Sequence, residues 1–582
     1  MSFRNNKGQT IHGLVSSWVL IIVRSMLQIL QRFGEFLSGS CVSVVEESIK
    51  SLFRELVQVG SRFVNGILGV LLFVSGYPNT EHKKRKATAS AWQNWAASSF
   101  SSLNLYYGPD HDDTGVDRGR VLESDNGYMM FGTTSESLIE GHATMSGFVE
   151  DIRFVVEVVI SNICSFFSKI LRYVFWLDHT SSKEAKKQKS KARRMLRRWK
   201  RLHTFTASDA ILKAGYPLEE CLLTTKDGYQ IQMHRIPRRG SKKVVFFQHG
   251  VLDTSLGWVS RTTGGSVAFA AYDDGYDVWL GNTRANHPQR NVNRKKSEYW
   301  RFSANELALS DLQCQFDHIR QMKAKELDQG EEYSMKAVGH SLGAASLLMY
   351  AVYMKACGED HGLDRMVLLS PAGFHPKIPF MMRWCKYVFP LATRILNMMS
   401  SSRGIGLRLP SFPIRWITFK LMADVNRSPV FFDLFSLVFR IIFNGDTSEW
   451  TKAFSLPHYN PHHMPAVSLH LADHFAQWAR GNDFRFYDYG SSDMNMKMYG
   501  QTLPPSVAEQ YHLLQDLPID IAGGTSDGLI PPESASRHHH FLQTANVQST
   551  MSYFDYGHLE FIFGVRGELL HYIMNRLNAP TI

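Results

Sequence analysis

From Ser334 the chain reads SMKAVGHSLGAASLLMYAVYMKAC, and no other stretch constrains the fold as much. Ser334–Val338 has the character of a short strand, and Leu342–Cys357 has that of a helix. Between them the chain must turn within about three residues, and such a strained turn closes only if its neighbours are small. Gly339, Gly343 and Ala344 supply that, so Ser341 is expected at the tip of a strand-to-helix elbow, with its hydroxyl facing out. The N-terminus of the helix adds a dipole that favours negative charge developing near the serine.

An elbow of this kind needs a sheet around it, and the flanking sequence reads as one. Cys221–Thr225 and Tyr229–Ile236 flank Lys226-Asp227-Gly228, which predicts a hairpin. Val244–Phe247, Tyr276–Leu280, Met366–Leu369, Ile519–Ala522 and Ser549–Phe554 read as strands. Helical patterns cover Asn305–Leu327, Glu533–Leu542 and Leu559–Leu577, the first opened by the capping box Ser303-x-x-Glu306. Alternating strands and helices predict an α/β class with a mostly parallel sheet and helices on both faces. The sheet is interrupted from Ala372 to about Gln515 by a segment rich in aromatics and methionine, read as an inserted helical cap. The expected core is therefore 202–371 and 516–582, with the cap at 372–515.

The first two hundred of the 582 residues have a different texture. Apolar stretches at Leu14–Leu37, Leu52–Tyr77 and Phe154–Trp176 are each interrupted by a charge or a proline, or fall short of a clean span of about twenty residues. In the third, Val156, Val159, Ile160, Ile163, Phe166, Phe167, Ile170, Leu171 and Val174 recur at helical spacing. Directly after it, Lys183–Arg201 holds eleven Lys/Arg against one Glu, nearly all of the chain's formal +11. With the rest of the chain nearly neutral, a broad nucleic-acid-binding face is excluded. Basic residues beside an apolar stripe suit an anionic lipid surface. The extension is read as apolar membrane-associating helices (1–78), a disordered linker (79–150), and an amphipathic helix with its basic run (151–201). No cleavable signal peptide is recognised. The expected location is a cytosol-facing membrane or lipid-droplet surface, at the ER or a droplet, not secretion. Helices that merely pack on the enzyme are the alternative. Six scattered cysteines argue against a disulfide framework or a zinc site.

Gly524-Thr525-Ser526-Asp527-Gly528 repeats the five-residue pattern of the elbow. It follows a strand, but Gly528 and Pro531-Pro532 break any helix after it, so Ser526 lacks the context of a nucleophile. A serine hydroxyl needs a base, and the base needs an orienting carboxylate. Asp527 just past one late strand and His558 after the last one stand in the order Ser, Asp, His. Asp516, Asp520 and Asp555 are weaker candidates by position, and His538-His539-His540 reads as a surface cluster. His470 and His474 have metal-ligand spacing without a third ligand, so no metal is expected, nor any organic cofactor. The backbone N–H groups of Val251, after His249-Gly250, and of Leu342 are the expected oxyanion donors.

Residues from about His203 to Asn575 resemble the acid lipase family of the α/β-hydrolases, the gastric, lysosomal and related plant lipases. The resemblance rests on TTKDGYQIQMHRIP, FFQHGVLDTSLGW, FAAYDDGYDVWLGNTRAN, EYWRFSANELALSDL, AVGHSLGAA, LADHFAQWARGNDFRFYDYG, LPIDIAGGTSDGLIPP and YGHLEFIFG, in that order. It implies an α/β-hydrolase fold, the triad Ser341, Asp527 and His558, oxyanion donors Val251 and Leu342, and a lid-bearing cap. It also implies hydrolysis of acylglycerols or steryl esters, closest in style to plant triacylglycerol lipases. Leu342 replaces the Gln common after the nucleophile in animal members, which leaves the backbone donor intact. A lipid acyltransferase using the same triad, or a membrane-docked scaffold with a weak site, are the competing functions.

Overall fold

The computed structural model describes residues 206–580 apart from 261–264, 294, 296–297, 378–381, 400–405, 428, 449, 451–463 and 565–566. The apolar stretches, the linker and the basic run of the first two hundred residues lie outside the described residues. Residues 203–422 and 435–582 belong to one compact unit, and it is this unit whose packing is described.

Its centre is a nine-stranded sheet. The strands are β1 Glu219–Thr224, β2 Tyr229–Ile236, β3 Lys243–Gln248, β4 Asp277–Gly281, β5 Arg290–Asn291, β6 Ser334–His340, β7 Arg365–Leu369, β10 Ile519–Gly524 and β11 Ser549–Phe554; β8 Arg408–Leu409 and β9 Val467–Ser468 form a separate pair in the insertion. The order is β1-β2-β4-β3-β6-β7-β10-β11, with β5 beside β2. β1, β2 and β4 are joined antiparallel, and β4, β3, β6, β7, β10 and β11 run parallel. Gly228, with φ +87°, closes the β1–β2 hairpin in a conformation that an L side chain resists.

Successive side chains of a strand point to opposite faces, and both faces here are buried. Val244 and Phe246 of β3, Ala337 of β6 and Met366 and Leu368 of β7 enter one core. Val245, Phe247, Val338, Val367 and Leu369 enter the other. The first core is covered by α3 Gln313–Glu326, α4 Leu342–Ala356 and α10 Pro532–Thr544, and the second by α1 Ala207–Lys213, α2 Val267–Asp273 and α12 Gly567–Leu577. α4 is buried on nearly all sides from Leu342 to Val352, which suits a stretch that carries no charge. Between β7 and β10 lie the helices of the insertion, α5 Met382–Met399, α6 Phe412–Arg427, α7 Pro429–Ile442, α8 Leu469–Gly481 and α9 Ser492–Tyr499.

Two helices differ from expectation. The helix expected from Asn305 begins with a capped turn at Ala304–Glu306 and passes through a π-helical stretch, Leu307–Leu312, before α3. Hydrophobic spacing does not register one extra residue per turn, which is why it escaped the sequence reading. The final helix is split into α11 Glu560–Phe563 and α12 by Gly564, which is extended (φ −64°, ψ 143°) and lies against the Glu560 carbonyl.

Candidate active site

The carboxyl ends of five neighbouring parallel strands, β3, β6, β7, β10 and β11, open on one edge of the sheet, the edge where α/β folds place their chemistry. Ser341 follows β6 with φ 53° and ψ −117°, a strained conformation held by its N–H donating to Leu369 O (2.9 Å) and its carbonyl accepting from Ala345 N (3.1 Å) and Ala372 N (3.2 Å). The small neighbours are required here. A Cβ on Gly339 would meet the Ala344 backbone at 2.8 Å, and one on Gly343 would meet the Gln248 and His249 carbonyls at 2.5 Å. The second contact brings the end of β3 against the elbow, and a Cβ on Gly250 would lie 3.0 Å from Ser341 Cβ. The loop carrying Val251 is thereby placed beside the start of α4. Among the described residues neither the Val251 nor the Leu342 N–H donates to another backbone group.

His558, in the turn after β11, points its Nε2 at Ser341 Oγ (3.0 Å) and its Nδ1 at Asp527 Oδ2 (2.7 Å). All three side chains are buried, each at 3% exposure or less. With the carboxylate accepting from Nδ1–H, the lone pair of the neutral ring lies on Nε2, toward the hydroxyl. Asp527 is held from several sides. Its Oδ1 accepts from Leu529 N (3.0 Å) and Ile530 N (2.7 Å), and its Oδ2 also accepts from Ser370 Oγ (2.5 Å). Burial opposes a charge on His558. The Asp527 carboxylate outweighs it, aided by Asp446, and holds the imidazole pKa above its ordinary 6.5.

Ser526 sits in the same turn as Asp527 but faces elsewhere, its Oγ donating to Asp555 Oδ1 (2.9 Å). Asp516 pairs with Lys355 near the surface, and Asp520 forms a buried ion pair with Arg365 (2.7 Å). His474 is buried between Ala304 N (3.3 Å) and Arg485 O (3.0 Å), and no group of three metal-capable side chains occurs among the described residues. His538, expected on the surface, is fully buried, bonded to Tyr511 Oη (2.7 Å) and Ala372 O (3.0 Å). Its helix packs that face against Phe374 and Phe484, a partner that a run of three histidines does not announce.

Two residues were missed from sequence. Ser370 directly follows β7 at its carboxyl end, a position that could have signalled it. Asp446 lies in the insertion, with no motif around it.

Known proteins agree with this architecture. Residues 207–262 match the family model described as a partial alpha/beta-hydrolase lipase region. The chain is 28% identical to mouse lipase member N over 375 residues, covering 62% of this chain and 86% of that protein. It is 28% identical to triacylglycerol lipase 2 of Arabidopsis thaliana over 373 residues (60% and 82%) and 27% identical to human gastric triacylglycerol lipase over 374 residues (62% and 87%). With the lipase region at 207–262 and these relatives matched over most of their own length, the chain is similar to the acid lipase family of the α/β-hydrolases and is a carboxylic ester hydrolase.

Proposed function

We propose that the chain cleaves carboxylic esters of lipids, acylglycerols or steryl esters, with Ser341, His558 and Asp527 as its catalytic triad. The observation that carries the reading is the unbroken buried chain of hydrogen bonds from Ser341 Oγ through His558 to Asp527 at the carboxyl edge of the sheet. Ser341 Oγ attacks the acyl carbonyl carbon as its proton passes to His558 Nε2, and Asp527 stabilises the imidazolium. The Val251 and Leu342 N–H groups stabilise the negative oxygen of the tetrahedral intermediate. Collapse expels the alcohol, which takes the proton from Nε2. Water then repeats the sequence on the acyl-enzyme, releasing the carboxylic acid and restoring Ser341.

The insertion supports an apolar substrate. On α5 the exposed residues Trp384, Tyr387, Val388, Leu391 and Ile395 recur at helical spacing, so this helix offers solvent a continuous apolar stripe. Such a face suits a lipid phase or a long acyl chain. Emulsified long-chain esters should be turned over with higher kcat/KM than soluble acetate esters. The reverse ranking would overturn the lipid reading and leave an esterase for small substrates.

The sequence of residues 1–201 supports attachment to a cytosol-facing membrane or lipid-droplet surface. The full chain should pellet with membranes and resist release by salt, because apolar burial is not screened, whereas a chain starting near Leu202 should stay in solution and still react with a fluorophosphonate. Full-length chain that remains in the supernatant at low salt would contradict the attachment.

A further inference from the structure

The two glycines next to the candidate acid and base have no role in the chemistry above. Asp527 is followed by Gly528 and His558 is preceded by Gly557. Neither is explained by its own turn, since neither has a positive φ. What lies against both is a single segment of the insertion, residues 443–450. A Cβ on Gly528 would fall on the Phe443 carbonyl and within 2.8 Å of Asp446 N, and a Cβ on Gly557 would meet Ser448 Oγ at 2.5 Å and Ser448 N at 2.6 Å.

The segment reaches this place by a defined local route. At the end of α7, Asn444 (φ 56°) and Gly445 (φ 88°) take left-handed conformations, and Gly445 N–H bonds back to Arg440 O (2.7 Å), the pattern of a glycine-terminated helix. The reversal delivers Asp446, 2% exposed, between the two loops. Its Oδ2 accepts from Gly528 N (3.0 Å) and from His558 N (2.9 Å), and its Oδ1 accepts from Ser448 N (2.9 Å) and Trp450 Nε1 (2.9 Å). Ser448 Oγ accepts from Leu559 N (2.8 Å), and Trp450 stacks on Phe443 at 4.0 Å, closing the segment on itself. One carboxylate oxygen thus bonds the backbone of the residue after Asp527 and the backbone of His558 itself.

We propose that Asp446 is a positioning residue of the active site, contributed by the insertion, which clamps the loops of Asp527 and His558 together and sets the register and basicity of the His558 ring. The inference rests on the triad reading above. The groups facing His558 are Asp527 and Asp446 as carboxylates, Ser341, the His340 ring at 4.7 Å, His375 in the loop after β7, and Glu560, whose carboxylate accepts from Gly557 N. Burial holds His340 well below 6.5 and His375 at about 4, so both are neutral near neutral pH. Asp446 is therefore a nearby negative charge beside Asp527 that bonds directly to this residue. It ties the insertion's fold to the assembly of the site, since the clamp exists only when 443–450 is seated.

The test uses the full chain with Asp446→Asn and Asp446→Ala, reading kcat, KM, the pH dependence of kcat/KM, and the pH dependence of fluorophosphonate labelling. Asp446→Asn keeps the volume but removes the charge and puts an amide NH2 on one side of a site built to accept on both. It should lower kcat with little change in KM and move the acid limb of both pH profiles to lower pH. Asp446→Ala should lose roughly 100-fold in kcat, the scale of a small misplacement of a catalytic group. Should the alanine protein fail to fold, the asparagine protein and its pH profile carry the test. Variants that lose only thermal stability, with kcat and the acid limb in place once folded, would reduce Asp446 to a structural residue and overturn the inference. Absence of labelling in the unmodified chain would instead overturn the triad reading itself.

Discussion

Ser341 and Ser526 each stand between glycines in the same five-residue pattern, yet their surroundings are opposites. Ser341 is buried at the head of a fifteen-residue helix, its backbone strained and its hydroxyl 3.0 Å from a histidine ring. Ser526 is half-buried in a turn, six residues short of the helix that starts at Pro532, its hydroxyl donating to Asp555. The glycines differ as well. Gly339 and Gly343 are small so that β6, α4 and the end of β3 can close on one another, whereas Gly524 and Gly528 are small because the Tyr556 and Phe443 carbonyls lie against them. The same pattern serves an elbow in one place and a crowded crossing of loops in the other. A nucleophile is made by the strand before it, the helix after it and the base beside it.

The contrast can be broken by mutation. Ser341→Ala should abolish fluorophosphonate labelling and lower ester hydrolysis by on the order of 10⁴-fold or more, with little further loss when His558 is also replaced, because the proposed triad would act as a unit. Labelling that persists in the Ser341→Ala protein would remove the distinction between the two serines. Next in size is Asp527→Asn, which keeps the shape but no longer fixes the proton on His558 Nδ1, and kcat should fall by on the order of 10⁴-fold. A loss under tenfold would mean that Asp527 serves its turn and not the histidine.

A smaller effect sharpens the comparison through pH. The base proposed at His558 works when neutral, and its pKa in the fold lies above 6.5, so kcat/KM should fall as pH drops through a value above 6.5. The stability linkage has the opposite sense. A raised pKa stabilises the fold fully below 6.5, and that contribution is lost as pH rises through the folded value. An acid limb well below 6.5 in the free enzyme would contradict the carboxylate environment described here. The smallest effect is expected at Ser526→Ala. It removes one hydrogen bond to Asp555 on a half-exposed turn, so activity should stay within about twofold and stability within about 1 kcal/mol. A tenfold loss of kcat would show that the turn needs this bond to hold Asp527 in place.

Which residues were legible in the sequence follows from how far each signal travels. The elbow is local. Strand, small residues and helix stand within about twenty positions, so the turn at Ser341 could be read before any fold was known. The order of Asp527 and His558 after successive late strands is nearly as local, because each sits just past its own short strand, Ile519–Gly524 and Ser549–Phe554. Central strands such as β3, β4 and β7 were legible because both faces of the sheet are buried there, which makes each a short, largely apolar run bounded by polar turns.

Tertiary structure alone decided the rest, and for one reason: polar partners across long sequence separations leave no periodic trace. Ser370 meets Asp527 from 157 residues away, and Asp446 meets His558 from 112. His538 looked like a surface histidine because its two neighbours are also histidines, and its burial depended on which face of α10 met Phe374 and Phe484. The π-helical stretch before α3 added a residue that hydrophobic spacing does not count. The sequence by itself determined where a strained serine turn forms and which strands surround it, because those choices rest on nearest neighbours and on burying apolar side chains. The packing of 443–448 against Gly528 and Gly557 decided how the loops of Asp527 and His558 are held, because hydrogen bonds between distant loops exist only once the sheet has brought them together.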